Sequence, residues 1–90
     1  MNESAPNRQL LVDLGYEDAV IFDNPDYDSA IIGVSHDDRV IYDYDAMIAS
    51  LMLEDDMTME EAMDFIDYNT LRALPYSGPD GPIVMYKFDF

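Results

Sequence analysis

Three consecutive stretches decide the fold of this chain: Ala30-Ile31-Ile32-Gly33-Val34, the turn His36-Asp37-Asp38, and Arg39-Val40-Ile41-Tyr42. Apolar, β-branched residues on both sides of polar turn residues read as two strands. Parallel strands need a crossover of a dozen or more residues, so this short link predicts an antiparallel meander. Upstream, Ala19-Val20-Ile21-Phe22 reads as a further buried strand, broken by the turn-rich Asp23-Asn24-Pro25-Asp26. Downstream, Ile83-Val84-Met85-Tyr86-Lys87-Phe88 alternates as a closing strand. The segment before it, residues 76–82, has to be a loop, because its prolines and glycines interrupt regular hydrogen bonding.

Two helices lie between. Tyr44, Met47, Ile48, Leu51 and Met52 recur at i, i+3, i+4, i+7 and i+8, an amphipathic stripe. Asp43 or Asp45 can cap its N-terminus, where a carboxylate suits the helix dipole. The second helix opens on Thr58-Met59-Glu60-Glu61, a capping box with Thr58 as N-cap and Glu61 at N3. Its inward face is read as Met59, Ala62, Met63 and Ile66, with Phe65 at the margin and an end near Asn69. Near the N-terminus, residues 8–14 fit two helical turns stopped by Gly15, or a short strand. The expected class is α+β: a small antiparallel sheet of three to four strands with two amphipathic helices packed on one face. Residues 1–90 read as one domain, with 1–7 a flexible tail.

Composition narrows the function. Twenty Asp and Glu stand against four Lys and Arg, for a formal charge of -16 over 90 residues. Hydrophobic residues at 49% and aromatics at 12% are too many for a disordered acidic tail. Direct binding to DNA or RNA is not expected, since phosphate binding needs the basic residues that are missing. An anionic membrane surface is disfavoured for the same reason, and no apolar run approaches the roughly 18 residues of a spanning helix. The first residues show no basic start followed by an apolar run, so no signal peptide is expected. The absence of cysteine excludes disulfides and thiolate metal sites and fits a reducing cytoplasm.

Catalytic chemistry finds little support. The single histidine, His36, sits in a turn beside Ser35, and adjacency in sequence is not the convergence that a nucleophilic triad requires. Acid–base pairs cannot be selected among so many carboxylates, and no phosphate-binding glycine loop occurs. Asp23 to Asp28 superficially suggests a calcium loop. An EF-hand needs an oxygen ligand at position 3, Gly at 6 and Glu at 12, whereas Pro25, Asp28 and Val34 stand there. No enzyme, no cofactor and no dedicated metal site are expected.

The distribution of charge is more telling. Glu60, Asp64 and Asp67 fall at i, i+4 and i+7 of the second helix, away from its apolar stripe. Glu54, Asp55 and Asp56 fill the link before it, and Asp37, Asp38, Asp43 and Asp45 gather around the entry to the first helix. Like charges at i, i+4 cost a helix about 0.2–0.5 kcal/mol per pair. No Lys or Arg is interleaved in either helix before Arg72, so stability is given up for a strong field. Carboxylates at i and i+4 are about 6 Å apart along a helix axis. Phosphates of one DNA strand rise by about 3.4 Å each, so the two charge densities agree within about a factor of two. A solvated surface that only keeps a small domain soluble would look the same in sequence. Seven tyrosines and seven methionines offer interface material as well as core.

The strings from Val40 to Ile48, from Met57 to Ala62 and from Asp67 to Tyr76 resemble a family of small acidic proteins of bacteria and phages with no assigned activity. The resemblance covers about residues 30–86 and transfers no catalytic residue. In size and charge alone, the chain is similar to phage-encoded DNA mimics such as anti-CRISPR proteins, antirestriction proteins and uracil-DNA glycosylase inhibitors. These similarities imply an inhibitor that occupies the basic nucleic-acid-binding surface of a defence nuclease complex in the cytoplasm of a bacterial host cell. Its binding residues are then Asp37, Asp38, Asp43, Asp45, Glu54, Asp55, Asp56, Glu60, Asp64 and Asp67. The alternative is a small structural or adaptor protein of a phage or mobile element. Assembly into a homo-oligomer stays open.

Overall fold

A computed structural model describes residues 6–22 and 27–88. The first helix, α1, spans Pro6–Asp13 and starts on a proline, whose fixed φ suits a first helical turn. Of the tail expected over residues 1–7, positions 6 and 7 are therefore helical, and residues 1–5 lie outside the described residues. Gly15 ends the helix with φ 94°. The Tyr16 N–H reaches the Leu11 carbonyl at 2.8 Å and the Gly15 N–H reaches that of Val12 at 3.1 Å. That pair of bonds is the Schellman arrangement, and it settles the helix-or-strand alternative for this segment.

No strand forms at residues 19–22. A turn closes from the Ala19 N–H to the Tyr16 carbonyl at 3.0 Å, and residues 20–22 follow without regular structure. Phe22 spends its N–H on the Tyr42 hydroxyl at 3.0 Å, with its ring 4.6 Å from that of Tyr42 and 5.6 Å from that of Tyr27. Aromatic packing, not a sheet ladder, holds Phe22, while Val20 stays exposed. Residues 23–26 lie outside the described residues.

After a 3₁₀ turn at Asp28–Ala30 come β1 (Ile31–Val34) and β2 (Val40–Asp43), paired antiparallel as expected. Ile31 faces Tyr42 and Gly33 faces Ile41, so one extra residue, Ile32, forms a bulge on β1. The third strand, β3 (Ile83–Met85), pairs with β2 in parallel, aligning Ile41 with Ile83 and Asp43 with Met85. The sheet is thus mixed, in the order β1-β2-β3, rather than wholly antiparallel. Its reason lies in the chain between β2 and β3, which contains two helices and is long enough for a crossover.

That crossover holds α2 (Tyr44–Glu54) and α3 (Met59–Phe65), which give the α+β class. Tyr44, Met47, Ile48 and Leu51 are buried against the sheet, joined by Val40, Tyr42, Ala30 and Ile31. Met52, at the edge of the expected stripe, is exposed. The capping box of α3 forms in both directions: Thr58 N–H to Glu61 Oε1 at 2.8 Å, and Glu61 N–H to Thr58 Oγ1 at 3.1 Å. Its inward face is narrower than expected, since Ala62 and Ile66 are buried while Met59 is 58% exposed. Met63 also lies outside the core. Only seven residues long, α3 contributes Ala62 to the core with Phe65 packed beside it, and Ile66 follows directly after its end.

From Ile66 to Leu71 the winding widens into a π-helical turn, and a 3₁₀ turn at Leu74–Ser77 starts the segment expected to be irregular throughout. Two buried hydroxyls, Tyr27 Oη and Thr70 Oγ1, lie 2.9 Å apart and tie the π turn to the segment before β1. Among the described residues, no helix is long and apolar enough to cross a membrane.

Candidate functional site

The ten carboxylates singled out by sequence do not form one surface patch around a single cavity. Asp55, Asp56 and Asp64 come together, with Glu61, around an open cleft of about 650 Å³ between the end of α2 and the outer side of α3. The reciprocal cap fixes where α3 begins, and Asp56 turns the chain in the left-handed conformation with φ 56°, which Asp tolerates better than most residues. Phe65 and the exposed Tyr68 form the apolar wall of this cleft. Asn69 holds the wall's last turn by donating Nδ2–H to the Phe65 carbonyl at 3.1 Å.

Asp37 and Asp38 lie in a second cleft of about 390 Å³, facing Asp18 and Asp80. The turn that presents them is tightly bonded. The Ser35 N–H donates to the Arg39 carbonyl at 2.8 Å, the Arg39 N–H returns to Ser35 Oγ at 3.0 Å, and the Asp38 N–H closes onto the Ser35 carbonyl at 3.0 Å. The Ser35 hydroxyl donates to Asp37 Oδ1. That bond, more than the weaker pull of His36 and Arg39, holds the Asp37 carboxyl below the usual carboxylate range. Arg39 donates Nε–H to the Gly81 carbonyl at 2.8 Å, which ties the loop carrying Asp80 to this turn. A Cβ on Gly81 would sit 2.6 Å from that of Ser77, so the loop admits only glycine there without moving.

The other five candidates are dispersed. Asp45, Glu54 and Glu60 are exposed, but none lines either cleft. Asp67 is exposed yet accepts the Tyr44 O–H at 3.2 Å, so part of its role is structural. Asp43 is half-buried at the N-cap position of α2, where its side chain makes no cap bond, and its buried Oδ1 has no hydrogen-bond partner. Of the ten it is the least able to meet a partner's cation. Sequence reasoning did not place Glu61, Asp18 or Asp80 in these clefts. Glu61 was legible only as a cap, and the loop residues Asp18 and Asp80 carry no periodicity that would announce their convergence.

The Ser35 hydroxyl donates its hydrogen bond to Asp37, and His36 is exposed in the turn beside it. Among the described residues, no group of three or more His, Asp or Glu side chains is placed to hold a metal ion. Most of the Asp23–Asp28 stretch lies outside those residues. What the site offers is a field: exposed carboxylates on two faces, held by local hydrogen bonds. No family model, no curated protein and no solved structure matches the chain.

Proposed function

We propose that this chain is an acidic nucleic-acid mimic that occupies the basic DNA- or RNA-binding surface of a defence nuclease complex, in the manner of anti-CRISPR or antirestriction inhibitors. The observation that carries the reading is the exposure of the carboxylates along the α2–α3 region. There Glu54, Asp55, Asp56, Glu60, Asp64 and Asp67 are all exposed. No lysine or arginine occurs between Tyr44 and Leu71 to neutralise them. Asp45 extends the field along α2, and Asp37 and Asp38 extend it to the β1–β2 turn. Asp43 adds its charge but little contact.

A partner groove lined with Lys and Arg would meet these carboxylates at spacings within about a factor of two of those of DNA phosphates. Such an encounter is steered over long range and weakened by salt. No catalytic step and no cofactor is involved; the chain acts by occupying the groove.

The test is affinity capture from host lysate at low salt, elution with a DNA competitor, and a nuclease assay on the protein released. The triple variant Asp55→Asn, Asp56→Asn, Asp64→Asn keeps the left-handed turn, which Asn also tolerates, and removes three charges. It should weaken inhibition by about tenfold or more, equivalent to ~1.4 kcal/mol. Unchanged inhibition by this variant, or a captured partner indifferent to DNA and to salt, sinks the mimic reading and leaves the adaptor role in its place.

A further inference from the structure

The packing of α1 against β1 leaves a groove of about 320 Å³ lined by Leu10, Leu11, Leu14, Tyr16 and all four residues of β1. Not one of these side chains is charged, on a chain in which 27% of residues are. Three of them stay open to solvent: Leu10 at 53%, Leu14 at 63% and Ile32 at 49%. Each is placed there by a feature already described. Leu10 and Leu14 are one helical turn apart, with the second fixed by the Schellman bonds around Gly15. Ile32 is the extra residue of the β1 bulge, a device that re-aims a side chain. Exposed apolar side chains gathered along a groove are more informative than the same number scattered singly.

The groove does not end in neutral surface. Tyr16 lines both it and the cleft formed by Asp18, Asp37, Asp38 and Asp80, and Leu14 and Gly15 are successive residues in the two walls. Arg39, next to Asp38 in the turn, spends its Nε–H on the Gly81 carbonyl.

We propose that the α1–β1 groove and the adjoining aspartate cleft form one docking slot for a peptide segment of a partner protein, with apolar residues in the groove and an adjacent lysine or arginine in the cleft. Charge complementarity selects this occupant. A purely apolar segment would leave four carboxylates unused, and a second copy of the chain would bring another -16 of like charge. Both cavities are at the small end of the ~300–1,000 Å³ typical of ligand sites, which suits a few side chains rather than a broad protein face. The slot goes beyond the α2–α3 reading: it shares only Asp37 and Asp38 with it, and none of the helical carboxylates.

The test is selection of random short peptides displayed on phage against the full chain, followed by titration of the enriched sequences as synthetic peptides. Enriched peptides should place two or more apolar residues beside a Lys or Arg. Leu14→Ser and, separately, Ile32→Ser should weaken them by about tenfold. Both positions are exposed, and a thermal melt checks that each variant is folded. Asp18→Asn with Asp80→Asn should weaken binding and flatten its salt dependence. Glu60→Gln with Asp64→Asn should leave it unchanged, so failure of the mimic reading is separable from failure of this one. The slot is overturned by any of four results: no enrichment, purely basic peptides that ignore Leu14→Ser, purely apolar peptides indifferent to salt, or self-association of the chain through the groove.

Discussion

Tyr44 shows how one residue can be read twice. Its ring belongs to the core, 4.8 Å from that of Tyr86, while its hydroxyl donates to Asp67 at the surface. Burial first, and then the neighbouring Asp67 carboxylate, push its pKa from 10 up to about 12. A tyrosine is neutral while protonated, so a raised native value means that the unfolded chain loses its proton first as pH rises. Stability is therefore unaffected below about pH 10 and falls between about pH 10 and 12, at no more than about 1.4 kcal/mol per pH unit from this group. Tyr44→Phe should cost about 0.5–1.5 kcal/mol near pH 8, the worth of the lost hydrogen bond. That deficit should shrink or reverse near pH 11.5, because phenylalanine has no proton to lose. Urea unfolding of both proteins at the two pH values checks this. Tyr27, also raised by burial, is present in both proteins and cancels from the difference. A deficit that does not change with pH means that Tyr44 is not held protonated.

At the scale of elements, legibility followed locality. The α2 stripe, the β1–β2 hairpin and the α3 capping box each rest on interactions within a few residues, and each was readable. The same locality makes the cap testable: Thr58→Ala should destabilise the protein by about 0.5–2 kcal/mol, with the first amides of α3 exchanging faster while those of α2 keep their protection. Equal loss of protection in both helices would mean that the cap is not a local device. The features that were not readable depend on distant partners. Ala19 to Phe22 had strand composition, but the Tyr42 hydroxyl and the rings of Tyr27 and Tyr42 claimed Phe22. The parallel register of β3 is set by the crossover's path over the sheet. The π turn places Thr70 against Tyr27, a pairing 43 residues apart that α-helical periodicity could not foretell. The candidate site divides likewise: the carboxylates of α3 could be assigned to an outer face, whereas the meeting of Asp18 and Asp80 with Asp37 and Asp38 needed the Arg39 clamp on Gly81.

The excess charge is spread over a molecule whose Cα radius of gyration is 12.9 Å. At about 0.01 M salt the screening length, about 30 Å, exceeds that radius, so nearly every carboxylate repels every other; at about 1 M it is about 3 Å, and only neighbours interact. The melting temperature should therefore climb with sodium chloride and not with an uncharged osmolyte matched for its effect on neutral proteins. Part of the repulsion is assignable. Asp64→Asn removes one i, i+4 pair with Glu60, about 0.2–0.5 kcal/mol, which for a domain of this size is about 1 to 4 °C at low salt, and it spares the first turn of α3, where the helix dipole favours Glu60 and Glu61. If the acidic face only solubilises the protein, that stabilisation comes free of any loss. If the face mimics a phosphate backbone, the variant that melts later must also inhibit less, because the repulsion it relieves is the field the partner reads. Melting temperature and inhibition measured on the same variants at the same salt separate the two. A series in which stability rises while inhibition holds leaves the charge without a target, and one in which they move oppositely ties the cost of the field to its use.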